Sequence, residues 1–146
     1  MSSPARALRL IPAIIVALAA GGAQAADKYQ VIVHWTNSVS VLKTDAVADI
    51  FLKKAVRWPD GREVVPVDQS LQSPVREVFT RDVLGESILG VQSYWHRQIA
   101  AGKRPPLTKG SDDEVQAYVA QNPTAIGYVS GEAKLKSSVK PLKLKK

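Results

Sequence analysis

The chain contains no cysteine. Disulfides, cysteine-bound metals and an anchor attached through a lipidated cysteine are therefore excluded. Histidine is nearly as scarce. His34 and His96 are the only two, and neither has a histidine or an acid three or four positions away. Without that spacing a metal site has no support. No Gly-x-Ser-x-Gly elbow occurs, so the strained nucleophile turn of the hydrolases is missing. Gly85, Gly90 and Gly102 are too dispersed for a phosphate-cradling loop. Trp35, Trp58 and Trp95 carry no interleaved stripe of arginine and lysine, as a nucleic-acid surface would. Asp112-Asp113-Glu114 is an acidic run, but it falls in a first helical turn, where acids complement the helix dipole. These absences leave no catalytic residue, no metal, no cofactor and no nucleic-acid partner, and they point away from an enzyme.

Long apolar runs are missing too, except at the start. Leu10 to Ala20 is apolar apart from Pro12, and falls short of the roughly 20 residues of a membrane span. Arg6 and Arg9 precede it, and Ala23-Gln24-Ala25 offers a small-x-small cleavage site. This is the pattern of a signal peptide over residues 1–25, giving a periplasmic or secreted chain that begins at Ala26, with no stable membrane insertion after cleavage. A short uncleaved anchor helix is the alternative. The remainder of the chain is the size of one domain, large enough to bury a core.

Charge is present but uneven. The formal total is +7 over 146 residues, yet the segment 134–146 carries six lysines and no acid. The chain thus divides into a near-neutral domain, 26–133, and a basic terminal strand or tail, 134–146. The tail suits attraction to an anionic surface or polymer. It equally suits a lysine-protected edge strand in which Val139, Leu142 and Leu144 pack.

Strand-like and helix-like segments alternate. Tyr29 to His34 is an apolar run of strand length, and Ala125 to Val129 looks like a buried strand. Between them, Thr44 is placed to cap a helix running to about Leu52, with Val47, Ile50 and Phe51 on one face. Ser87 opens a helix with Ile88, Val91, Trp95 and Ile99 at helical spacing, and Gly102 to Gly110 reads as a loop. Ser111 and Glu114 form a capping box before a helix that Asn122-Pro123 ends. Strands separated by helices predict a mixed or parallel sheet flanked by helices.

The most informative stretch is Trp58 to Phe79. Trp58-Pro59-Asp60-Gly61 is a tight-turn sequence. Val64, Val65 and Val67 form a β-branched strand. Ser73-Pro74 then sets a capping residue before a proline suited to the first helical position, in a helix that should end near Gly85. A strand edge leading into a helix start presents free N–H groups and a positive dipole end, a geometry that binds phosphate or carboxylate. It also reads simply as the start of a helix.

With its flanks, this stretch resembles the periplasmic phosphate-binding proteins, the solute receptors of phosphate ABC transporters. The landmarks are Val31-Ile32-Val33, Asn37, Leu42, Asp49-Ile50-Phe51, Trp58, Val64-Val65-Pro66-Val67, Ser73 and Ala125-Ile126-Gly127-Tyr128, spread over about residues 29–130. The resemblance implies an α/β fold, a single three-layer domain like one lobe of a type II periplasmic binding protein. Receptors of this family carry a loop similar to Arg-Ser-Asp-Gly-Ser-Gly-Thr that grips phosphate. Aligned on Ser73, this chain keeps the serine alone. Gln69 stands at the arginine, Leu71 at the aspartate, Pro74 removes a backbone donor, and Val75 replaces the threonine. The ligand residues implied are Ser38 on the first polar loop and Ser73, flanked by Gln69 and Arg76. Two functions are consistent with this: an exported module that binds phosphate or another small oxyanion weakly at a helix start, or a periplasmic interaction or accessory protein that keeps the fold and has lost the ligand.

Overall fold

The computed structural model describes residues 28–146; the expected signal peptide, 1–25, lies outside the described residues. Strand β1 is Tyr29–His34, β2 Val41–Lys43, β3 Val65–Gln69, β4 Leu107–Lys109, β5 Ala125–Ser130, β6 Val139–Pro141 and β7 Lys143–Lys145. The helices are α1 Thr44–Phe51, α2 Pro74–Phe79, α3 Ile88–Ala100 and α4 Asp112–Gln121. A π-helical turn, Thr80–Leu84, continues α2. It stops at Gly85, whose φ of 66° is left-handed and costs a glycine little.

Five strands form one sheet in the order β4-β3-β5-β1-β6. β3 runs parallel to β4 and β5, and β1 runs antiparallel to β5 and β6. The three apolar strand-like runs of the sequence, β3, β5 and β1, are neighbours in this sheet. The sheet has helices on both faces because its strands are apolar on both. Val31, Val33, Ile126 and Tyr128 face a layer built from Val47, Ile50 and Phe51 of α1, Val75 and Phe79 of α2, and Val83 of the π turn. Ile32, Val67, Ala125 and Val129 face Val115 and Val119 of α4. The fold is thus a three-layer α/β domain. Gly127 is fixed by that second layer, since a Cβ there would lie 2.6 Å from Val115 Cγ1.

The turn at Trp58 forms as its sequence suggests. Gly61 N–H donates to Trp58 O at 2.9 Å, and the buried indole donates to Thr124 O at 2.8 Å. Four details differ from expectation. Thr44 does not cap α1: Lys43 holds the cap position without a side-chain bond, and the Thr44 hydroxyl donates to Lys145 O at 3.3 Å. Only Val91 and Trp95 of the α3 stripe are buried, and Ile99 is 54% exposed. The 102–110 loop contains β4, held by backbone pairing to β3 rather than by apolar side chains. The last strand divides at Leu142: β6 pairs with β1, while β7 pairs with β2 in a separate parallel ribbon.

Candidate functional site

The carboxyl end of β3 and the start of α2 bring together Asp68, Gln69, Ser73 and Arg76. In open α/β sheets ligands gather at such strand ends. The strand's alternation sends Asp68 and Gln69 to opposite faces, and each side chain meets a different helix.

Asp68 turns toward α2. Arg76 reaches back, with Nη2 3.3 Å from Asp68 Oδ2 and Nη1 donating to Gln69 O at 2.8 Å. The Tyr128 hydroxyl donates to Asp68 Oδ1 through a very short hydrogen bond, and it accepts the Gln69 N–H at 3.2 Å. Phe79 stacks on the Tyr128 ring, with centroids 3.8 Å apart. Burial pushes the Asp68 carboxyl above its ordinary pKa, and outweighs the opposing pull of Arg76, of the Tyr128 hydroxyl and of the Gln69 amide. Burial, then the charge of Asp68, raises Tyr128 in turn. One atom of the cluster, Arg76 Nε, is buried without a hydrogen-bond partner.

Gln69 turns toward α4 and is completely buried. Its Oε1 accepts the Ser73 hydroxyl at 2.5 Å. Its Nε2 donates to Tyr128 O at 2.9 Å and to Asp112 Oδ1 at 2.8 Å. Asp112 is the first residue of α4. Its carboxylate also accepts the Ser130 N–H at 3.1 Å and the Ser130 hydroxyl. An anion with three donors therefore already sits at the α4 start, where the helix dipole favours it, and that anion belongs to the chain itself. The neighbouring Ser111 accepts from Glu114 N–H as a capping serine should, while Glu114 returns its bond to Gly110 N–H, one residue earlier than in a capping box.

Three of the four residues expected to bind a ligand are thus in one cluster. Ser73 occupies the α2 cap position but makes no capping bond, because its hydroxyl is turned to Gln69. Arg76 is paired with Asp68. Ser38 lies on the loop between β1 and β2, and none of the cluster's hydrogen bonds runs to it. Two surface grooves, one around Glu77 to Leu89 and one beside β7, are lined by none of the three clustered residues. Among the described residues no group of histidine, cysteine or acid is arranged to hold a metal, and no helix is long and apolar enough to cross a membrane.

Sequence reasoning misses Asp68, Tyr128, Asp112 and Ser130 as members of the site. Ser130 ends a strand, and so stands at the carboxyl edge where sites form. Asp112 reads as a helix-dipole residue. It does occupy that position, but its partners come from β3 and β5.

The fold matches one lobe of solved phosphate-binding proteins. The chain overlays a phosphate ABC transporter substrate-binding protein, so assigned, from Clostridium perfringens, a structure with bound phosphate. The TM-score is 0.65 at 21% identity, over 80% of this chain and 44% of that one. It also overlays an ABC-type phosphate transport receptor from Vibrio cholerae (TM-score 0.61, 19% identity, 80% and 46% covered) and PstS from Borrelia burgdorferi (0.62, 11%, 80% and 47%). The chain spans somewhat under half the length of each. No family model and no curated sequence matches it. The likeness is one of fold, and these neighbours are substrate-binding transport proteins rather than enzymes.

Proposed function

We propose that this chain is an exported module of the phosphate-receptor fold whose expected oxyanion donors are bonded within the chain beside an anion of its own, so that it serves as a periplasmic interaction or accessory protein. The observation that carries this reading is the Asp112 carboxylate, bonded to Gln69 and Ser130. A second anion beside it would meet like charge, and Gln69 and Ser73 have already committed their side chains to each other.

The second reading is weak binding of phosphate or another small oxyanion at the α2 start by Ser73, with Ser38, Gln69 and Arg76. It is favoured by the bound phosphate of the Clostridium perfringens neighbour. A calorimetric titration of the mature chain with phosphate, sulfate and a dicarboxylate separates the two. The first reading expects no saturable heat at millimolar concentration. Saturable phosphate binding that Ser73→Asp abolishes would establish the second. Export has its own check: mass analysis of the secreted chain should find Ala26 at the N-terminus, and a chain retaining Met1 in the inner membrane would contradict it.

A further inference from the structure

The parallel ribbon of β2 and β7 places like charges against one another. Its register sets Lys43 opposite Lys145 and Val41 opposite Lys143. All four are exposed, while Leu42 and Leu144 between them point inward to the core. Like charges directly opposite in a sheet oppose its formation, and none of these lysines has an ion pair among the described residues. Ribbons of three-residue strands are marginal to begin with. Beside the ribbon, the chain leaves the β1 edge after the Leu142 N–H to Val31 O bond. A groove of about 790 Å³ lies beside this point. Val31, Leu142 and Leu144 give it an apolar lining, and Lys28 and Lys143 line it beside them. Its acid, Asp82, is already paired with Arg81.

We infer that this lysine-flanked groove is a docking site for an extended acidic segment of a partner protein. The inference rests on the interaction-protein reading above. Three features favour such a segment. Lys28 and Lys143 both line the groove, so an acidic segment lying in it meets a cation from each of two distant parts of the chain. Part of the lining is apolar, and so takes apolar side chains of the same segment. The groove is concave, whereas a flat anionic membrane would touch only its rim.

The test uses the mature chain and a labelled ten-residue peptide of alternating glutamate and valine, read by fluorescence anisotropy. Binding should weaken as salt rises from about 0.05 to about 0.3 M, since exposed charges are screened. Replacing Lys28 and Lys143 together by glutamine should weaken it about fivefold at low salt, the scale of two exposed ion pairs. The charge-reducing control, Lys134→Gln with Lys136→Gln, alters lysines that do not line the groove and should change it less than about twofold. Circular dichroism of each variant separates lost binding from lost folding, and the salt series needs no variant. Equal weakening by both sets would reduce the effect to bulk charge and overturn the site. So would binding to phosphatidylglycerol vesicles without binding to the peptide. If the variants aggregate while the parent binds no peptide, the lysines only protect a sheet edge. Phosphate binding in the calorimeter would sink the interaction reading without deciding the peptide result.

Discussion

Arg76 is the residue on which the two readings part, because the same guanidinium cannot both neutralise Asp68 and fold over a ligand. Its pairing with Asp68 is largely buried, with side-chain exposures of 13% and 12%. Breaking such a pair from one side costs about 3 kcal/mol or more, since the other charge is left buried alone. The pH dependence is set by Asp68. Its folded pKa lies above the ordinary 3.8, so the folded chain holds that proton more firmly than the unfolded one. The stability it contributes is full below pH 3.8 and is lost as pH rises through the folded value. Arg76→Met takes away a charge that held the folded value down, so the loss should extend to higher pH. The expected result is a deficit of about 3 kcal/mol near neutrality that shrinks towards about pH 4, measured by urea unfolding across that range. A deficit independent of pH would mean that Arg76 contributes by packing alone. Gly127 offers a second test. In Gly127→Ala the new methyl would meet Val115 Cγ1 at 2.6 Å, and overpacking of this kind costs roughly 1–3 kcal/mol. Adding Val115→Ala should recover part of the loss from Gly127→Ala, because it removes the atom that is struck. Additive losses in the unfolding free energies would refute the contact.

The elements differ in how plainly the sequence announces them. β1, β3 and β5 are largely apolar runs buried on both faces, and such runs are visible without any structure. The helix from Ser73 to Gly85 is legible because proline opens it and glycine closes it. Its π turn is not, since nothing in Thr80–Leu84 departs from helical composition. β4 is hidden for a different reason. Leu107–Lys109 comes after two prolines and buries no apolar face, so its pairing with β3 is a matter of backbone bonds alone. The site divides in the same way. Gln69, Ser73 and Arg76 lie on one short segment, and their proximity comes from a strand edge running into a helix. Asp112 and Ser130 come from segments more than forty residues away in the chain, and only the closed sheet brings them to Gln69. The helix stop can be tested directly. Gly85 sits at a φ of 66°, which a Cβ opposes by roughly 1–2 kcal/mol. Gly85→Ala should lower stability by about 1 kcal/mol, while Gly85→Asn, which tolerates that conformation, should lose less. Thermal melts of the two variants give the comparison, and an equal loss would place the cost elsewhere.

At the scale of the whole molecule, the lysine-rich end has two roles that its composition merges. The charge is on the outside, but the segment also closes the fold. Val139 and Leu142 are 6% and 4% exposed. β6 covers the edge of β1, pairing at residues 32 to 34, and Leu142 N–H bonds to Val31 O at 2.8 Å. Each of the two buried side chains contributes about 1.5–3 kcal/mol, and the bared β1 edge adds unpaired backbone groups. Deleting residues 138–146 should therefore remove at least about 3 kcal/mol, a large part of the roughly 5–15 kcal/mol of a typical domain. The truncated chain should lose its cooperative urea transition or aggregate through the open edge. Changing Lys143 and Lys145 to glutamine removes charge while leaving every buried side chain in place, so it should keep the parent's transition midpoint or raise it slightly by relieving the Lys43–Lys145 repulsion. If the truncated chain unfolds at the same midpoint as the parent, the terminal strands are only an appendage of the sheet. If the glutamine variant instead collapses with the truncation, the lysines carry structure through their aliphatic stems, and their charge alone cannot account for the β2–β7 ribbon.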